Sequence, residues 1–518
     1  MRRPSSPTLL GFAAACAGLV GVVSALTPEM AARFDLVRGV LPPGVPSAAR
    51  TLVLAMGLAL IWLSRSLARR KRRAWQLAVG LVLASAVAHL AKGLDFEEST
   101  ASLLLLAALW RTRRRFDAPG DPASVRPLVP VVLALGGLAP LLVLHDEGWL
   151  TYPDRIDDAL LLIISSLAAR AFWLWLRPRA LSARQSPVER ETAQRLVSTH
   201  GRDSLAFFAL RRDKSYLFSP SGEAFLAYRV INGSALVAGD PIGEPSEYEE
   251  LVAEFRRVAR SQGWRVAIAG ASEECLPLYR RLGFKSIYLG DEAVVRPSEF
   301  SLEGRSIRKV RQSVSRLRKA GYRVQVVGAC EAGDELCSEL RAVSEEWRGR
   351  QPERGFTMAM DALFAYPEAK LAVATGPDGR VGGFVQLVPS PASGGYSLAS
   401  MRRRSGTPNG LMEYLIVETI SWAREDGVAE VSLNFAVFAE TLRRDGGVLR
   451  FALLKLDRLF QLERLLSFNR KFHPHWRRRH FVFERWTDFP ATGIAYLHAE
   501  SLLTPPGPWV RTPDLAAR

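Results

Sequence analysis

The sequence has little cysteine, and its four cysteines form no pair with metal-binding or redox spacing. Cys16 lies in an apolar run, whereas Cys275, Cys330 and Cys337 are spread over the second half of the chain. A disulfide framework or a zinc site requires paired or clustered cysteines. The pattern therefore predicts reduced cysteines with structural roles.

Acidic residues are also scarce relative to basic ones. The chain has 52 Asp and Glu against 69 Lys and Arg, a formal net charge of +17. This excess of positive charge favours anionic partners, either nucleic acid or a membrane surface. An ordinary aromatic share of 9% excludes a disordered basic tail, and a length of 518 residues predicts two or three domains.

Apolar runs separated by charged loops occupy the first third of the chain. A membrane span needs about 20 mostly apolar residues, so we predict a transmembrane domain over residues 1–184 with about six helices. The six runs cover residues 9–26, 51–64, 75–91, 99–110, 125–144 and 156–176. A cleaved signal peptide is not expected, because further apolar runs follow the first one directly.

The loops between these runs alternate in charge. Residues 65–73, 111–126 and 177–184 are basic, whereas residues 92–98 and 145–158 are mainly acidic. Basic loops stay on the cytoplasmic side, so we expect both termini there and a multi-pass protein of the cell membrane whose second half faces the cytoplasm. The basic loops can also serve insertion alone, without a further function. His89 and Lys92, near the end of one run, are interpreted as interfacial residues.

After residue 184 the pattern changes to short β-like runs alternating with amphipathic helices, which indicates an α/β fold. We predict a first α/β unit over residues 185–300, with strands at 205–210, 215–218, 224–230, 235–238, 264–269 and 284–295 and helices at 248–262 and 274–282. A second unit is expected over 301–504, followed by a tail over 505–518. Two such units in tandem predict a cleft or tunnel between them.

A basic helix over residues 301–321 opens the second unit. Its apolar residues fall on one face, and the rest of the surface carries only one acidic residue against many basic ones. A solvated face is one interpretation, and binding of phosphates on tRNA or lipid headgroups is the other. The anion-binding candidates are Arg305, Arg308, Lys309 and Arg311.

The rest of the second unit holds an apolar helix from Pro408, a strand over 431–438, a helix over 447–467 and a strand over 481–486. A loop rich in basic and aromatic residues spans 468–480. Together with the Gly-Asp-Pro turn at 239–243 and the basic helix, the stretches 408–413, 432–435 and 471–476 resemble the aminoacyl-phosphatidylglycerol synthases, the lysyl- and alanyl-transferases of the multiple peptide resistance factor family. The resemblance covers roughly residues 195–500.

This resemblance implies a membrane domain followed by a tandem (dual) GNAT-like acyltransferase domain. It implies transfer of an aminoacyl group, lysyl rather than alanyl, from aminoacyl-tRNA to the glycerol hydroxyl of phosphatidylglycerol, which lowers membrane negative charge and favours resistance to cationic peptides. The donor would be a substrate, with no cofactor. The membrane half is shorter than in members that flip the lipid product. No synthetase domain fits after residue 500, so the aminoacyl-tRNA synthetase is expected to be a separate protein.

Three residues are candidates for the chemistry, which needs a placed alcohol, a proton acceptor and a stabilised oxyanion. Glu413 can orient the acceptor hydroxyl or the aminoacyl ammonium, or act as base; its alternative role is charge compensation at a helix N-terminus. Asn434 can donate to the carbonyl or oxyanion, or simply form a turn. Lys471 can pair with a phosphate or stabilise developing charge, or remain a surface lysine.

Further residues are predicted to bind substrate, in addition to the basic helix. They are Asp240, Asn409, Phe472, Trp476, Arg477 and Arg479. For Asp240, capping or bracing its turn is favoured over a role in the reaction. His473 and His475 lack the further ligands that a metal site requires, so no metal is predicted. Pro408 stands where a CoA-binding turn needs a small residue, which argues against acyl-CoA. The alternative functions are transfer to another amphiphile or to a cell-wall precursor, and a non-catalytic role as a lipid transporter or scaffold.

Overall fold

A computed structural model describes residues 6–27, 45–93, 95–146, 153–177, 185–349, 355–437 and 462–503. Internal contacts divide the chain into two compact units. One comprises Met1–Ala180 with Arg257–Trp264, and the other comprises Leu181–Arg256 with Arg265–Arg518. The predicted boundaries at residues 184, 300 and 504 stay predictions, and the tail over 505–518 lies outside the described residues.

The first unit is helical. Its helices are α1 Ser6–Leu26, α2 Val45–Ala68, α3 Arg72–Gly93, α4 Phe96–Arg111, α5 Val125–Asp146 and α6 Asp154–Trp175. Among the described residues, five helices are long and apolar enough to cross a membrane. The predicted span at 99–110 lies in α4, whose 16 residues extend only about 24 Å against a hydrocarbon core of about 30 Å. The orientation of the helices stays a prediction.

Small residues bring α1 and α2 together. A Cβ atom on Gly57 would lie 2.6 Å from the backbone oxygen of Gly18, so neither position tolerates a larger side chain without separating the helices. Such close backbone approach is the usual means by which apolar helices associate in lipid, where the hydrophobic effect between helices is weak. Trp75 links α3 to α4 by donating from Nε1 to the backbone oxygen of Leu109 at 2.9 Å.

The remaining helices alternate with strands. They are α7 Pro187–His200, α8 Tyr248–Ser261, α9 Leu276–Arg281, α10 Arg308–Lys319, α11 Asp334–Arg348, α12 Leu411–Glu425, α13 Leu462–Asn469 and α14 Phe489–Ala499. The strands are β1 Ser215–Phe218, β2 Ala224–Ile231, β3 Ser234–Ala238, β4 Ile242–Gly243, β5 Arg265–Ser272, β6 Lys285–Val295, β7 Arg323–Gly328, β8 Lys370–Thr375, β9 Val381–Ser390, β10 Gly395–Arg403, β11 Glu430–Val437 and β12 His475–Phe483.

These strands form one twelve-stranded sheet in the described residues, with the order β1-β2-β3-β5-β12-β6-β11-β10-β9-β8-β7 and β4 paired to β2. Strands β1, β2, β3 and β5 form the early arm of the sheet, and strands β7 to β11 form the late arm. Each arm is a run of antiparallel pairs that ends in one parallel pair, β3 with β5 and β10 with β11. At the centre, β12 lies between β5 and β6, and β6 pairs with β11. Strand β12, which comes late in the chain, therefore pairs with β5 of the early arm. Strand β6, which comes early in the chain, pairs with β11 of the late arm.

Several local predictions were wrong. Residues 205–210 form a buried 3₁₀ turn, Ala206–Leu210, rather than a strand; an unbroken apolar run does not distinguish the two. The basic helix begins only at Arg308, so Arg305 precedes it. The expected loop over 468–480 becomes strand β12 from His475 onward. Most of the predicted helix at 447–467 lies outside the described residues.

Candidate active site

Two of the predicted catalytic residues lie together at the start of α12. Lys471 Nζ is 2.7 Å from Glu413 Oε1, and the side chains are 41% and 16% exposed. Lys471 Nζ also lies 5.4 Å from the centroid of the Phe468 ring. The pair is thus open to solvent on the lysine side and partly enclosed on the carboxylate side, an arrangement that can present both charges to a ligand.

Gly410 positions this helix start. Its φ of +92° is a left-handed conformation, and a Cβ atom there would lie 2.7 Å from Ser313 on α10. Glycine is therefore required both by conformation and by space. Because Gly410 allows close approach, α10 packs against the first turn of α12, which carries Glu413.

Asn469 fixes the position of Lys471, and sequence reasoning missed it. Its side chain is 1% exposed and donates from Nδ2 to the backbone oxygen of Leu433 in β11 at 3.3 Å. The turn that carries Lys471 is consequently held to the strand residue next to Asn434. An asparagine in a basic, aromatic stretch has no sequence signal that separates this role from that of a surface residue.

Asn434 occupies a bulge in β11, where the pairing with β6 shifts between Ser432 and Phe435. Its φ is +71°, and its Nδ2 donates to the backbone oxygens of Met358 at 2.8 Å and Leu398 at 2.5 Å. Both amide hydrogens are therefore used in this structure, and the role of Asn434 as a donor to the carbonyl or oxyanion stays a prediction. The buried Oδ1 atom has no hydrogen-bond partner, so the side chain's remaining capacity is to accept.

Arg305 and the first basic residues of α10 form an exposed ridge, defined as Arg305, Arg308, Lys309 and Arg311. The opposite face of the helix, Val310, Val314 and Leu317, is buried in the same core as α12. Arg311 donates to backbone oxygens before the helix, at 3.2 Å for Gly304. Among the described residues no carboxylate pairs with the other three, so their charge faces solvent.

Two other basic residues of α10 join it to α12. Arg316 Nη2 donates to the backbone oxygen of Asn409 at 2.5 Å, and Arg318 Nη2 lies 2.7 Å from Glu418 Oε1. Asn409 itself is exposed. Most of the ridge and Glu413 are thus carried by two helices that are packed and bonded to each other.

Arg477 and Arg479 lie two residues apart, so their side chains share one face of β12, but the two differ in exposure. Arg477 is half-exposed and pairs with Glu430, with Nη1 2.9 Å from Oε1. Arg479 is buried; it lies 2.6 Å from both Glu292 Oε2 and Asp203 Oδ2, and donates to Ser204 Oγ at 2.8 Å. The guanidinium group is thus enclosed by protein partners, and a contact of Arg479 with phosphate stays a prediction.

Glu292, which the sequence did not reveal, is 0% exposed at the centre of this cluster. Burial alone would raise the pKa of its carboxyl, but the Arg479 charge and hydrogen bonds from Ser204 and Ser432 lower that pKa below its ordinary value. Ser432 Oγ also accepts from the backbone N–H of Asn434 at 3.3 Å. The buried ion cluster is therefore connected to the bulge that carries Asn434.

The remaining predicted binding residues have packing or bracing roles. Asp240 accepts hydrogen bonds from the Ser272 backbone N–H at 2.9 Å and from the Tyr279 hydroxyl at 2.8 Å. Burial, with the nearby Asp203 charge, raises the pKa of the Asp240 carboxyl. Both its oxygens thus brace the turn. Phe472 is 1% exposed in the core, and Trp476 is half-buried against that core.

Lys214 is a second buried ionisable residue outside the predictions. Its side chain is fully buried, and burial lowers the pKa of its ammonium group to about 7. Nζ donates to the Phe208 backbone oxygen at 2.6 Å and lies 5.0 Å from the Phe356 ring centroid. In sequence it belongs to a charged stretch that resembles an exposed turn, so no signal marked it.

No group of three or more candidate metal ligands occurs within the ranges that the structure describes. His475 Nε2 instead lies 2.8 Å from Glu299 Oε2.

The carboxylate of Glu346 occupies the turn before α12, where it accepts from the Ser405 backbone N–H at 2.9 Å. That hydrogen bond is the main reason why the pKa of Glu346 lies below its ordinary value.

Comparison with known proteins matches this architecture to a family. Residues 194–483 match the family described as phosphatidylglycerol lysyltransferase, C-terminal. The chain belongs to this family. The resemblance to aminoacyl-phosphatidylglycerol synthases, inferred from motif order, is thereby confirmed.

Curated relatives include the lysylphosphatidylglycerol biosynthesis bifunctional proteins LysX of Nocardia farcinica and Rhodococcus jostii. The chain is 34% identical to the Nocardia farcinica protein over 514 residues, covering 88% of this chain and 44% of that protein. It is also 34% identical to the Rhodococcus jostii protein over 385 residues, covering 72% and 34% of the two chains. The chain thus spans less than half the length of these relatives.

Two solved structures share the fold of the sheet domain. The structure of L-PGS from Bacillus licheniformis superposes with a TM-score of 0.56 at 24% identity, covering 62% of this chain and 98% of that chain. The C-terminal domain of a putative lysylphosphatidylglycerol synthetase from Agrobacterium fabrum gives 0.52 at 25% identity, covering 60% and 96%. The predicted fold class is confirmed in its order of apolar helices followed by an α/β domain, and that domain shares the fold of these two structures.

Proposed function

We propose that this protein transfers a lysyl group from aminoacyl-tRNA to the glycerol hydroxyl of phosphatidylglycerol. The observation that carries the proposal is the Glu413–Lys471 pair at the start of α12, beside the exposed ridge of α10, in a member of this family. The apolar helices of the first unit are consistent with membrane association. We propose further that the sheet domain works at the cytoplasmic face of the cell membrane, where lysylation reduces negative surface charge and favours resistance to cationic peptides.

Glu413 and Lys471 have different roles in the proposed reaction. Glu413 accepts the proton of the attacking hydroxyl, whose oxygen adds to the ester carbonyl of the donor. Lys471 stabilises the negative charge that develops on the carbonyl oxygen, or pairs with the lipid phosphate that places the hydroxyl. Collapse of the tetrahedral intermediate breaks the original ester bond, and the tRNA hydroxyl leaves with the proton. Ester exchange of this kind needs positioning more than driving force.

The exposed ridge favours aminoacyl-tRNA over acyl-CoA as the donor substrate. Arg305, Arg308 and Lys309 can contact successive tRNA phosphates without reading sequence, so lysine specificity would come from elsewhere in the complex. The turn before α12 already holds the anionic Glu346 side chain on the Ser405 N–H, where an acyl-CoA enzyme would place a pyrophosphate. We therefore propose that aminoacyl-tRNA is the donor substrate and that the reaction uses no cofactor.

Membranes containing the full chain, supplied with phosphatidylglycerol and tRNA charged with radiolabelled lysine or alanine, test the proposal. We expect label in a chloroform-soluble, base-labile lipid that RNase abolishes. Lys471→Ala is expected to reduce the rate by about 100-fold or more, because it removes a charge placed at the reacting centre. Lys285→Ala, which removes an exposed lysine at the start of β6, is the matched control. Folded protein that labels no lipid with any charged tRNA would refute the proposal.

A further inference from the structure

The helical unit contains an open groove between α3 and α4, with a volume of about 870 Å³. Its walls are apolar, with Val79 and Leu83 on α3 and Leu103 and Leu106 on α4. Leu83 and Leu103 are 50% and 49% exposed. Apolar surface of this kind is stable only against lipid or another apolar surface.

One end of the groove is strongly basic. Arg111, Arg113 and Arg114 line it together with Trp110, and Arg113 stacks over the Trp110 ring with its Cζ atom 5.2 Å from the centroid. All three arginines are exposed, and within the described part of the chain no carboxylate pairs with them. Arg70 nearby shows the contrast, since it lies 2.8 Å from Asp117.

The two ends of α4 carry charges of opposite sign. The helix begins with Glu97 and Glu98 in its first turn and ends at Arg111. An anionic group is therefore repelled from one end and attracted to the other, where guanidinium groups can bind phosphate oxygens in a bidentate manner. The wall from Leu103 to Arg111 extends roughly 12 Å at about 1.5 Å per residue, enough to cover the upper part of an acyl chain.

We propose that this groove is a binding site for an anionic phospholipid. One acyl chain lies against Leu83, Leu103 and Leu106, and the phosphate is held by Arg111, Arg113 and Arg114. Basic pockets between membrane helices are a recurrent way of selecting anionic headgroups. The proposal does not rest on the transfer reaction, because its residues are all in the helical unit and include neither Glu413 nor Lys471.

The test uses the full chain reconstituted in lipid nanodiscs that contain a trace of photoactivatable phosphatidic acid or phosphatidylcholine. Phosphatidic acid has no glycerol headgroup hydroxyl, so the proposed reaction cannot consume it, and its capture reports this site alone. We expect cross-links on α3 and α4 with at least fivefold higher yield for phosphatidic acid. The triple variant Arg111→Gln, Arg113→Gln, Arg114→Gln should lower that yield to the phosphatidylcholine level.

Three further variants separate the outcomes. Arg126→Gln removes an exposed arginine of the same basic stretch that does not line the groove and should leave the yield unchanged. Leu103→Trp fills the groove and should lower the yield for both lipids. Lys471→Ala should retain full capture, so a failed transfer assay does not affect this result. Equal yields for the two lipids, or an unchanged yield in a folded triple variant, would overturn the proposal.

Discussion

Replacing Arg479 by methionine tests the structural role assigned to the buried ion cluster. The change removes the cation that lies 2.6 Å from Glu292 and leaves a carboxylate that is 0% exposed without its counter-ion. Breaking a buried pair from one side costs about 3–5 kcal/mol, because the remaining charge keeps its desolvation penalty. Asp203, the other partner, is 26% exposed and can be hydrated, so most of the cost should come from Glu292.

The pH dependence of this loss has a definite sign. In the native protein the pKa of Glu292 is lowered, so its contribution to stability is present above the ordinary carboxyl pKa and is lost as pH falls through the folded value. Without Arg479, burial dominates and raises the pKa of Glu292. The variant's deficit should therefore be largest at neutral pH and shrink towards pH 5, as the carboxyl becomes protonated.

The measurement is urea unfolding of residues 185–503, followed by tryptophan fluorescence at pH 7 and pH 5. Arg477→Met, which removes a half-exposed arginine two residues away on the same strand, is the matched control and should cost at most about 1 kcal/mol. Adding Glu292→Gln to Arg479→Met should recover at least half of the loss, since the orphan charge is gone. A deficit below about 1 kcal/mol, or a double variant no more stable than the single one, would refute the reasoning.

Three other changes have predictable results. Gly410→Ala should lower the free energy of unfolding by about 1–3 kcal/mol, because of its positive φ and the close approach of α10; Gly406→Ala, with open space around it, is the control. Asn434→Gly keeps the bulge conformation but leaves two carbonyl groups without their donor, so it should cost about 1–3 kcal/mol per buried group in the same urea assay. Lys214→Met should flatten the rise in stability between pH 7 and pH 10, because the unfolded lysine binds a proton that the folded one, with its pKa near 7, does not; an unchanged pH slope would contradict this.

Features that depend on local sequence were predicted well. Five of the predicted apolar runs became helices α1, α2, α3, α5 and α6, and amphipathic spacing located α8 and α10. Glu413 and Lys471, 58 residues apart, were both selected from their positions next to predicted elements, and they meet at 2.7 Å. Local patterns are sufficient here because each residue lies at the end of an element that its own neighbours determine.

Features that depend on long-range pairing were not predictable. Whether Arg479 faces phosphate or Glu292 depends on where β12 begins, since a shift of one residue reverses every side chain. That register is set by pairing with β5 and β6, which lie about 200 residues earlier in the chain. Asn469 and Lys214 were missed for the same reason. Their local sequence is typical of surface residues, and only the placement of the surrounding strands shows that they are buried.

The exchange of strands explains why the site and the ion cluster belong to one structure. β12 follows directly after the turn that carries Lys471 and contains Arg479, whereas β6 contains Glu292 and pairs with both β12 and β11. Glu292 on β6 is thus neutralised by Arg479 on β12. Ser432 donates to Glu292 and accepts from the backbone N–H of Asn434, so the ion pair is connected to the bulge. Neither arm of the sheet can form this centre alone, because each contributes one carboxylate or one cation to a buried pair that is unstable without the other. The geometry of the candidate active site in the late arm therefore depends on the early arm being folded.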